Sequence, residues 1–206
     1  MKYIFVAGAP GSKWSSVVKN IYFSEDVDHT DYSEARTYWH DAPGQLELMH
    51  TGAYFDPGME FSLPEDLEQH SREDLEKIFD SAFTGTGIRI IKSHMFSIHI
   101  DFIRKTWPEC PMVLVHRSND SCLGWWVKCG HFNITYPSYD YYFVDFKTMA
   151  KRIREQNDSI ERAMFDYEGR KSVSTNLQLC KVLGLAPPST KYWQNYAVSD
   201  IKVTVI

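Results

Sequence analysis

Tyr3-Ile4-Phe5-Val6-Ala7-Gly8-Ala9-Pro10-Gly11-Ser12-Lys13-Trp14-Ser15 opens the chain with an apolar run that passes straight into a glycine-rich turn. A short apolar run bounded by Gly and Pro reads as a buried strand. Val17, Val18 and Ile21 then recur at helical spacing, so the turn leads into a helix over about Trp14–Tyr22. Strand, glycine-rich turn and helix together aim backbone N–H groups and a positive helix end at an anion. Gly8 and Gly11 permit the tight turn, and Pro10 stiffens it. The competing reading is a plain strand-to-helix turn carrying an exposed Lys13. Two further strands, Ile88-Arg89-Ile90-Ile91 and Met112-Val113-Leu114-Val115, run into Lys92-Ser93-His94 and His116-Arg117. In an open α/β sheet the ligand sits at the carboxyl ends of the strands. Three ends that gather Lys13, Lys92, His94 and Arg117 therefore describe a pocket for an anion. None of them ends in Asp or Glu, the carboxylate that metal-assisted phosphoryl transfer wants for Mg²⁺. The pocket reads as cationic, with no metal ligand.

A length of 206 residues suits one domain over residues 1–206, or at most a domain with a small subdomain. Hydrophobic residues make up 43% of the chain, enough for a core and too many for a disordered protein. The net charge of −5 leaves no basic excess to displace counterions from a phosphate backbone, which argues against nucleic acid as a partner. Basic residues gathered at one pocket of an acidic protein point to a small anion instead. Cys110, Cys122, Cys129 and Cys180 lack Cys-x-x-Cys spacing, which disfavours zinc. The sequence enters a strand at once, without a signal-peptide pattern, and no apolar run approaches ~18 residues. The expectation is a soluble, cytoplasmic protein with reduced thiols and no membrane partner.

No repeat or low-complexity tract is visible. Residues 24–64 are polar and turn-rich, with Asp41-Ala42-Pro43-Gly44 and Asp56-Pro57-Gly58 marking turns. A stretch this long without regular structure is more often functional than idle, so it is the candidate lid over an acceptor. Ser71-Arg72-Glu73-Asp74 resembles a capping box ahead of Leu75, Ile78, Phe79 and Ala82. Helices are also expected near residues 98–106 and from Asn119 or Asp120. A long amphipathic helix should carry Phe146, Met149, Ile153, Ile160 and Met164 on one face. A last helix over about residues 175–183 has Ser174 as its cap, with Gly184 and Pro187-Pro188 ending it. Alternating strands and helices predict an α/β fold with a mainly parallel central sheet flanked by helices.

Ile90-Ile91-Lys92-Ser93-His94-Met95 resembles the Lys-Thr-His-Leu segment of the cytosolic sulfotransferases. Val113-Leu114-Val115-His116-Arg117-Ser118-Asn119-Asp120 resembles their strand ending in Arg-Asn-Pro-x-Asp, and Trp125-Trp126 to His131-Phe132 echoes the helix after it. Order and separations agree too, over roughly residues 1–23 and 86–132. The resemblance implies a P-loop nucleotide-hydrolase-like fold and a 3′-phosphoadenosine 5′-phosphosulfate (PAPS) donor, with adenosine 3′,5′-bisphosphate as the spent product. It implies that Gly8, Ala9, Pro10, Gly11, Ser12, Lys13, Trp14 and Ser15 cradle the 5′-phosphosulfate. Lys13 and Lys92 would stabilise the leaving and transferring groups, and His94 would take the acceptor's proton. Arg117 would hold the 3′-phosphate, with Ser121 or Ser118 beside it, since the family's serine falls near Gly124. The acceptor would be a small molecule or glycan bearing a hydroxyl or amine.

The chain also departs from the family. The first loop usually reads Pro-Lys-Ser-Gly-Thr-Thr, whereas Pro10-Gly11-Ser12-Lys13-Trp14-Ser15 has lysine and glycine exchanged. The C-terminal Arg-Lys-Gly-x-x-Gly-Asp-Trp-Lys-Asn loop is missing, and only Trp193-Gln194-Asn195 is similar to its end. Trp14, Trp125 and Trp126 are candidates for stacking on adenine, with core packing as the competing role. His116 is a strand-end residue or a second base. Residues 136–143, dense in rings, wall an acceptor pocket or pack beneath the long helix, and the Asn133-Ile134-Thr135 sequon carries no weight in a cytoplasmic protein. Two other readings stay open: a P-loop kinase for a nucleotide or small molecule, and a non-catalytic nucleotide-binding member of the same fold.

Overall fold

β1 (Tyr3–Gly8) is buried at every position, as a strand covered on both faces must be. Its side chains alternate between two cores. Ile4 and Val6 enter one cluster with Val17, Ile21, Val113 and Ile153. Tyr3, Phe5 and Ala7 enter the other with Phe79, Phe96, Trp107 and Leu114. In this computed structural model the described residues are 1–32, 38–39, 49–57, 59–128, 145–189 and 200–206, with 38–39 and 49–50 described for backbone only. Residues 129–144, the turn at 41–44, Gly58 and Trp193-Gln194-Asn195 lie outside them, and so do the expectations placed on those stretches.

β4 (Arg89–Lys92) and β5 (Met112–Arg117) flank β1 in parallel, with Val6 opposite Lys92 and Gly8 opposite Val115. The sheet then continues through β7 (Ile201–Val205) and β6 (Lys171–Val173) in the order β4-β1-β5-β7-β6. Both of these last pairings are antiparallel. The expected mainly parallel sheet is therefore corrected to a mixed one, two parallel pairs and two antiparallel. The reason is where the chain re-enters the sheet. Ile201 pairs with Arg117, at the carboxyl end of β5, so β7 can only run back toward Met112. A separate two-strand ribbon, β2 (Tyr38–Trp39) with β3 (Met49–His50), lies within the stretch expected to be irregular.

Six α-helices pack around the sheet among the described residues. α1 (Trp14–Tyr22) buries Val17, Val18 and Ile21, as its spacing dictates. α2 (Arg72–Asp80) starts where Ser71 accepts a hydrogen bond from the Asp74 amide, 3.2 Å away, and buries Leu75 and Phe79. α3 (Ile100–Thr106) begins two residues later than expected, after a short 3₁₀ turn, Met95–Ile98. α4 (Asn119–Lys128) follows β5 directly. α5 (Phe146–Asp166) is capped by Asp145 and buries Met149, Ile153 and Ile160, whereas Phe146 in its first turn is 59% exposed rather than part of the buried face. α6 (Asn176–Leu183) is capped by Thr175 rather than Ser174, because the Thr175 hydroxyl accepts from the Gln178 amide, and Gly184 ends it in a left-handed conformation.

Candidate functional site

Because β4 and β5 run parallel on either side of β1, the ends of all three strands open onto the same edge of the sheet. The loop after β1 is built for close approach. Gly11 has φ +81°, and a Cβ there would fall 2.0 Å from the Cys122 carbonyl oxygen on α4. A Cβ on Gly8 would fall 2.7 Å from Ser12 Oγ and 3.0 Å from Trp14 Cβ. Among the described residues Lys13 is the one non-glycine residue with positive φ, at 61°. The loop folds on itself through the Ser12 amide, which donates to the Ala9 carbonyl at 3.0 Å. Ala9, Pro10 and Ser12 are buried, while Gly11, Lys13 and Ser15 are half-buried. Ser12 is fully buried and its hydroxyl has no hydrogen-bond partner among the described residues. An orphaned buried hydroxyl costs roughly 1–3 kcal/mol, and an anion oxygen resting in the loop would satisfy it.

Past β4, Lys92, Ser93 and His94 are all buried. The organising group is Asp56, fully buried, whose Oδ1 accepts from Ser93 Oγ at 2.7 Å, from the His94 amide at 2.7 Å and from the Met95 amide at 3.4 Å. The Phe55 amide donates to the Lys92 carbonyl at 3.1 Å, tying the segment around Asp56 to the end of β4. The Lys92 ammonium donates to the Thr51 carbonyl and lies 5.7 Å from the centre of the Tyr54 ring. Burial pushes its pKa down to about 8, against the opposing pull of the Asp31 and Asp56 carboxylates. Lys92 thus faces the chain segment that follows the ribbon.

His94 links this cluster to the loop. Its Nδ1 meets the Gly8 carbonyl, an oxygen that can only accept, so Nδ1 carries the proton. The lone pair is then on Nε2, which accepts the Tyr54 hydroxyl at 2.8 Å. Burial lowers the His94 pKa, offset only in part by Asp56 and the Gly8 carbonyl, so the ring is neutral at pH 7. Trp14 is 2% exposed, its ring 4.5 Å from His94 and edge-on to Tyr54 at 5.2 Å. A ring sealed in that way holds the histidine in place rather than facing a base. Trp126 is likewise buried in the core.

The third end centres on Arg117, which is 8% exposed. Its Nε donates to both carboxylate oxygens of Asp200, at 3.2 and 3.1 Å, and its Nη1 donates to the Gly11 carbonyl at 3.2 Å. The half-buried ring of Trp125 has Lys13 Nζ at 4.0 Å, Lys128 Nζ at 5.8 Å and the Arg117 guanidinium at 6.0 Å. Cations repel one another, so gathering them around one indole ring favours negative charge nearby, part of which Asp200 already supplies. Asn157 on α5 fixes the turn from behind, donating to the Arg117 carbonyl and to Asn119 Oδ1, both at 2.8 Å. His116, the neighbour of Arg117 in the strand, projects to the other face of the sheet. Its electrostatic neighbours there are Glu161, Lys202 and Asp158. It is a strand residue and stands apart from the His94 cluster.

The structure therefore divides the residues singled out in the sequence between two groups, His94 and Lys92 in one and Lys13, Arg117 and Ser121 in the other, with the loop 8–15 between them. Sequence reading missed Tyr54, Asp56, Thr51, Lys128, Asn157 and Asp200. Asp56 alone left a local signal, in an Asp-Pro-Gly turn that could have been read as a loop anchor. No family model matches this chain, and neither a curated protein nor a solved structure matches it.

Proposed function

We propose that the protein transfers a sulfuryl group from PAPS to a hydroxyl or amine of an acceptor. The observation that carries this reading is the parallel pairing of β1 with both β4 and β5, which gathers the glycine-rich loop, Lys92-Ser93-His94 and Arg117 at one edge. That gathering is what the motif resemblance requires. The orphaned Ser12 hydroxyl supports an anion at the loop, and the neutral His94 supports proton transfer.

In the proposed reaction the acceptor hydroxyl attacks sulfur in line with the bond to the leaving phosphate oxygen. The O–S bond to the acceptor forms as the S–O bond to the nucleotide breaks, and the acceptor proton passes to His94 Nε2. Adenosine 3′,5′-bisphosphate leaves. Catalysis of this kind is mostly positioning and charge stabilisation. Lys13 and the loop amides hold the phosphosulfate, and Lys92 supplies positive charge beside the transferring group. In this reaction an acceptor hydroxyl reaches the His94 lone pair only by taking the place of the Tyr54 hydroxyl. Asp31 and residues 51–56 pack over Lys92 and His94, both buried, so an acceptor enters only if that segment moves aside.

Thermal unfolding with adenosine 3′,5′-bisphosphate, against ATP, each with EDTA and with Mg²⁺, tests the reading. At ~100 times its Kd a ligand adds about 2.7 kcal/mol, which for a chain of this length raises Tm by about 5–10 °C. The expected result is a rise with the bisphosphate that does not depend on metal and persists in His94→Ala. A rise with ATP that requires Mg²⁺ would instead favour a kinase. No rise with either would favour a non-catalytic protein of this fold.

A further inference from the structure

In the donor site just proposed, the two side chains assigned to the 3′-phosphate are already engaged by an anion. Arg117 directs its Nε at both oxygens of Asp200, with side chains 10% and 28% exposed. The Ser121 side chain also acts on the same carboxyl, helping to hold it ionised. Burial of Asp200 would favour its neutral form, but the Ser121 side chain and the Arg117 charge outweigh it, and the carboxyl is held below its ordinary range. Asp200 is thus ionised at neutral pH.

The fold fixes this arrangement. Asp200 directly precedes Ile201, and Ile201 is the residue paired with Arg117 where β7 joins β5. The carboxylate consequently sits one residue beyond the last rung of the ladder, at the carboxyl end of β5. That is the edge where the glycine-rich loop lies, and the Gly11 carbonyl takes another N–H of the same guanidinium. A guanidinium presents its donors in a fixed planar fork. The Nε edge cannot serve a carboxylate and a phosphate at once, and two anions brought together on it repel. The carboxylate is the more exposed partner, so it is the one able to swing away.

We infer that Asp200 is a specificity gate, its carboxylate standing in the position of the 3′-phosphate, so that a 3′-phosphorylated nucleotide binds only by displacing it. A nucleotide without that phosphate leaves Asp200 on Arg117 and meets no such competition. The inference rests on the donor-site reading of the preceding section. It adds to that reading a residue that lowers the preference of the site for the 3′-phosphate and that neither composition nor motif indicates.

The test is calorimetric titration of the full chain with adenosine 3′,5′-bisphosphate and with adenosine 5′-monophosphate, for the wild type, Asp200→Asn and Asp200→Ala. The asparagine keeps an acceptor for Arg117 while removing the charge, and the alanine removes both. Circular dichroism and Tm identify any variant that fails to fold, and the other then carries the comparison. Both variants should bind the bisphosphate about 10-fold more tightly than the wild type, the size of effect expected when one charge-assisted contact ceases to compete. Binding of the monophosphate should change less than 2-fold, on the same convention of ~0.4 kcal/mol or less. Nucleotides that bind the wild type with an unchanged bisphosphate-to-monophosphate ratio in the variants would overturn the gate and leave the donor site standing. Failure of the wild type and both variants to bind either nucleotide would overturn the donor site and the gate together.

Discussion

Replacing Asp56 by alanine should be among the most damaging single changes at this site, and the cost can be worked from its contacts. Oδ1 is the acceptor for Ser93 Oγ and for the His94 amide, both at 2.7 Å, and a weaker one for the Met95 amide at 3.4 Å. Ser93 is fully buried and His94 is 4% exposed, so water does not replace the lost acceptor. The Ser93 hydroxyl can turn to another partner, but the His94 amide cannot. Leaving a buried donor unpaired costs about 1–3 kcal/mol, and a hydrogen bond to a charged group contributes about 1.5–3 kcal/mol. Removing the buried carboxylate also relieves its own desolvation, which offsets part of the loss. The net expectation is destabilisation by about 2–4 kcal/mol. Against a total of ~5–15 kcal/mol that is a large share, and for a chain of this length it lowers Tm by roughly 5–15 °C. Asp56→Asn keeps an oxygen for the His94 amide and should lose only about half as much. The assay is urea unfolding followed by tryptophan fluorescence, comparing midpoints at unchanged slope. An alanine variant within about 0.5 kcal/mol of wild type, the range of an ordinary surface change, would refute the view that Asp56 holds this turn.

Two further outcomes follow from the same geometry. Gly11→Ala puts a Cβ 2.0 Å from the Cys122 carbonyl at φ +81°, whereas Gly184→Ala, at φ +68°, meets nothing within 4 Å. Gly184→Ala should therefore cost only the left-handed conformation, about 1–2 kcal/mol, and Gly11→Ala should cost about 1–3 kcal/mol more; equal losses in urea unfolding would mean that the loop does not rest on α4. For Lys92 the folded pKa of about 8 lies below the ordinary 10.5, so between those values the unfolded chain holds a proton that the folded chain has released. Stability should then rise with pH across that window, by up to about 3 kcal/mol, the penalty for the charged amine being fully present below pH 8. Urea midpoints from pH 7 to 10 should rise more steeply for the wild type than for Lys92→Met, and parallel profiles would show that Lys92 keeps its ordinary pKa. Tyrosine ionisation is common to both proteins and cancels in the comparison.

Local pattern made much of this protein legible. β1 and α1 could be read because burial on both faces writes a continuous apolar run and a helix writes its own period, both within a few neighbouring residues. The same holds for Lys92, His94 and Arg117, each immediately following an apolar strand. The antiparallel half of the sheet was not legible. Lys171-Ser172-Val173 is short and largely exposed, and Ile201–Val205, although its β-branched alternation is a strand signal, carries nothing local that fixes which strand it joins or which way it runs. Phe146 has the apolar character of a core residue, yet its position in the first turn of α5 leaves it exposed.

The sequence by itself determined where the loop, the lysines, His94 and the arginine would stand at the strand ends. Only the tertiary structure decided their chemical state. Which ring nitrogen of His94 carries the proton depends on Gly8, 86 positions away, and on Tyr54, 40 positions away. The engagement of Arg117 depends on Asp200, 83 positions away. The depressed pKa of Lys92 depends on its burial beneath the segment that contains Thr51. Protonation and ion pairing respond to distance and to loss of water in three dimensions, and neither is set by a residue's neighbours along the chain.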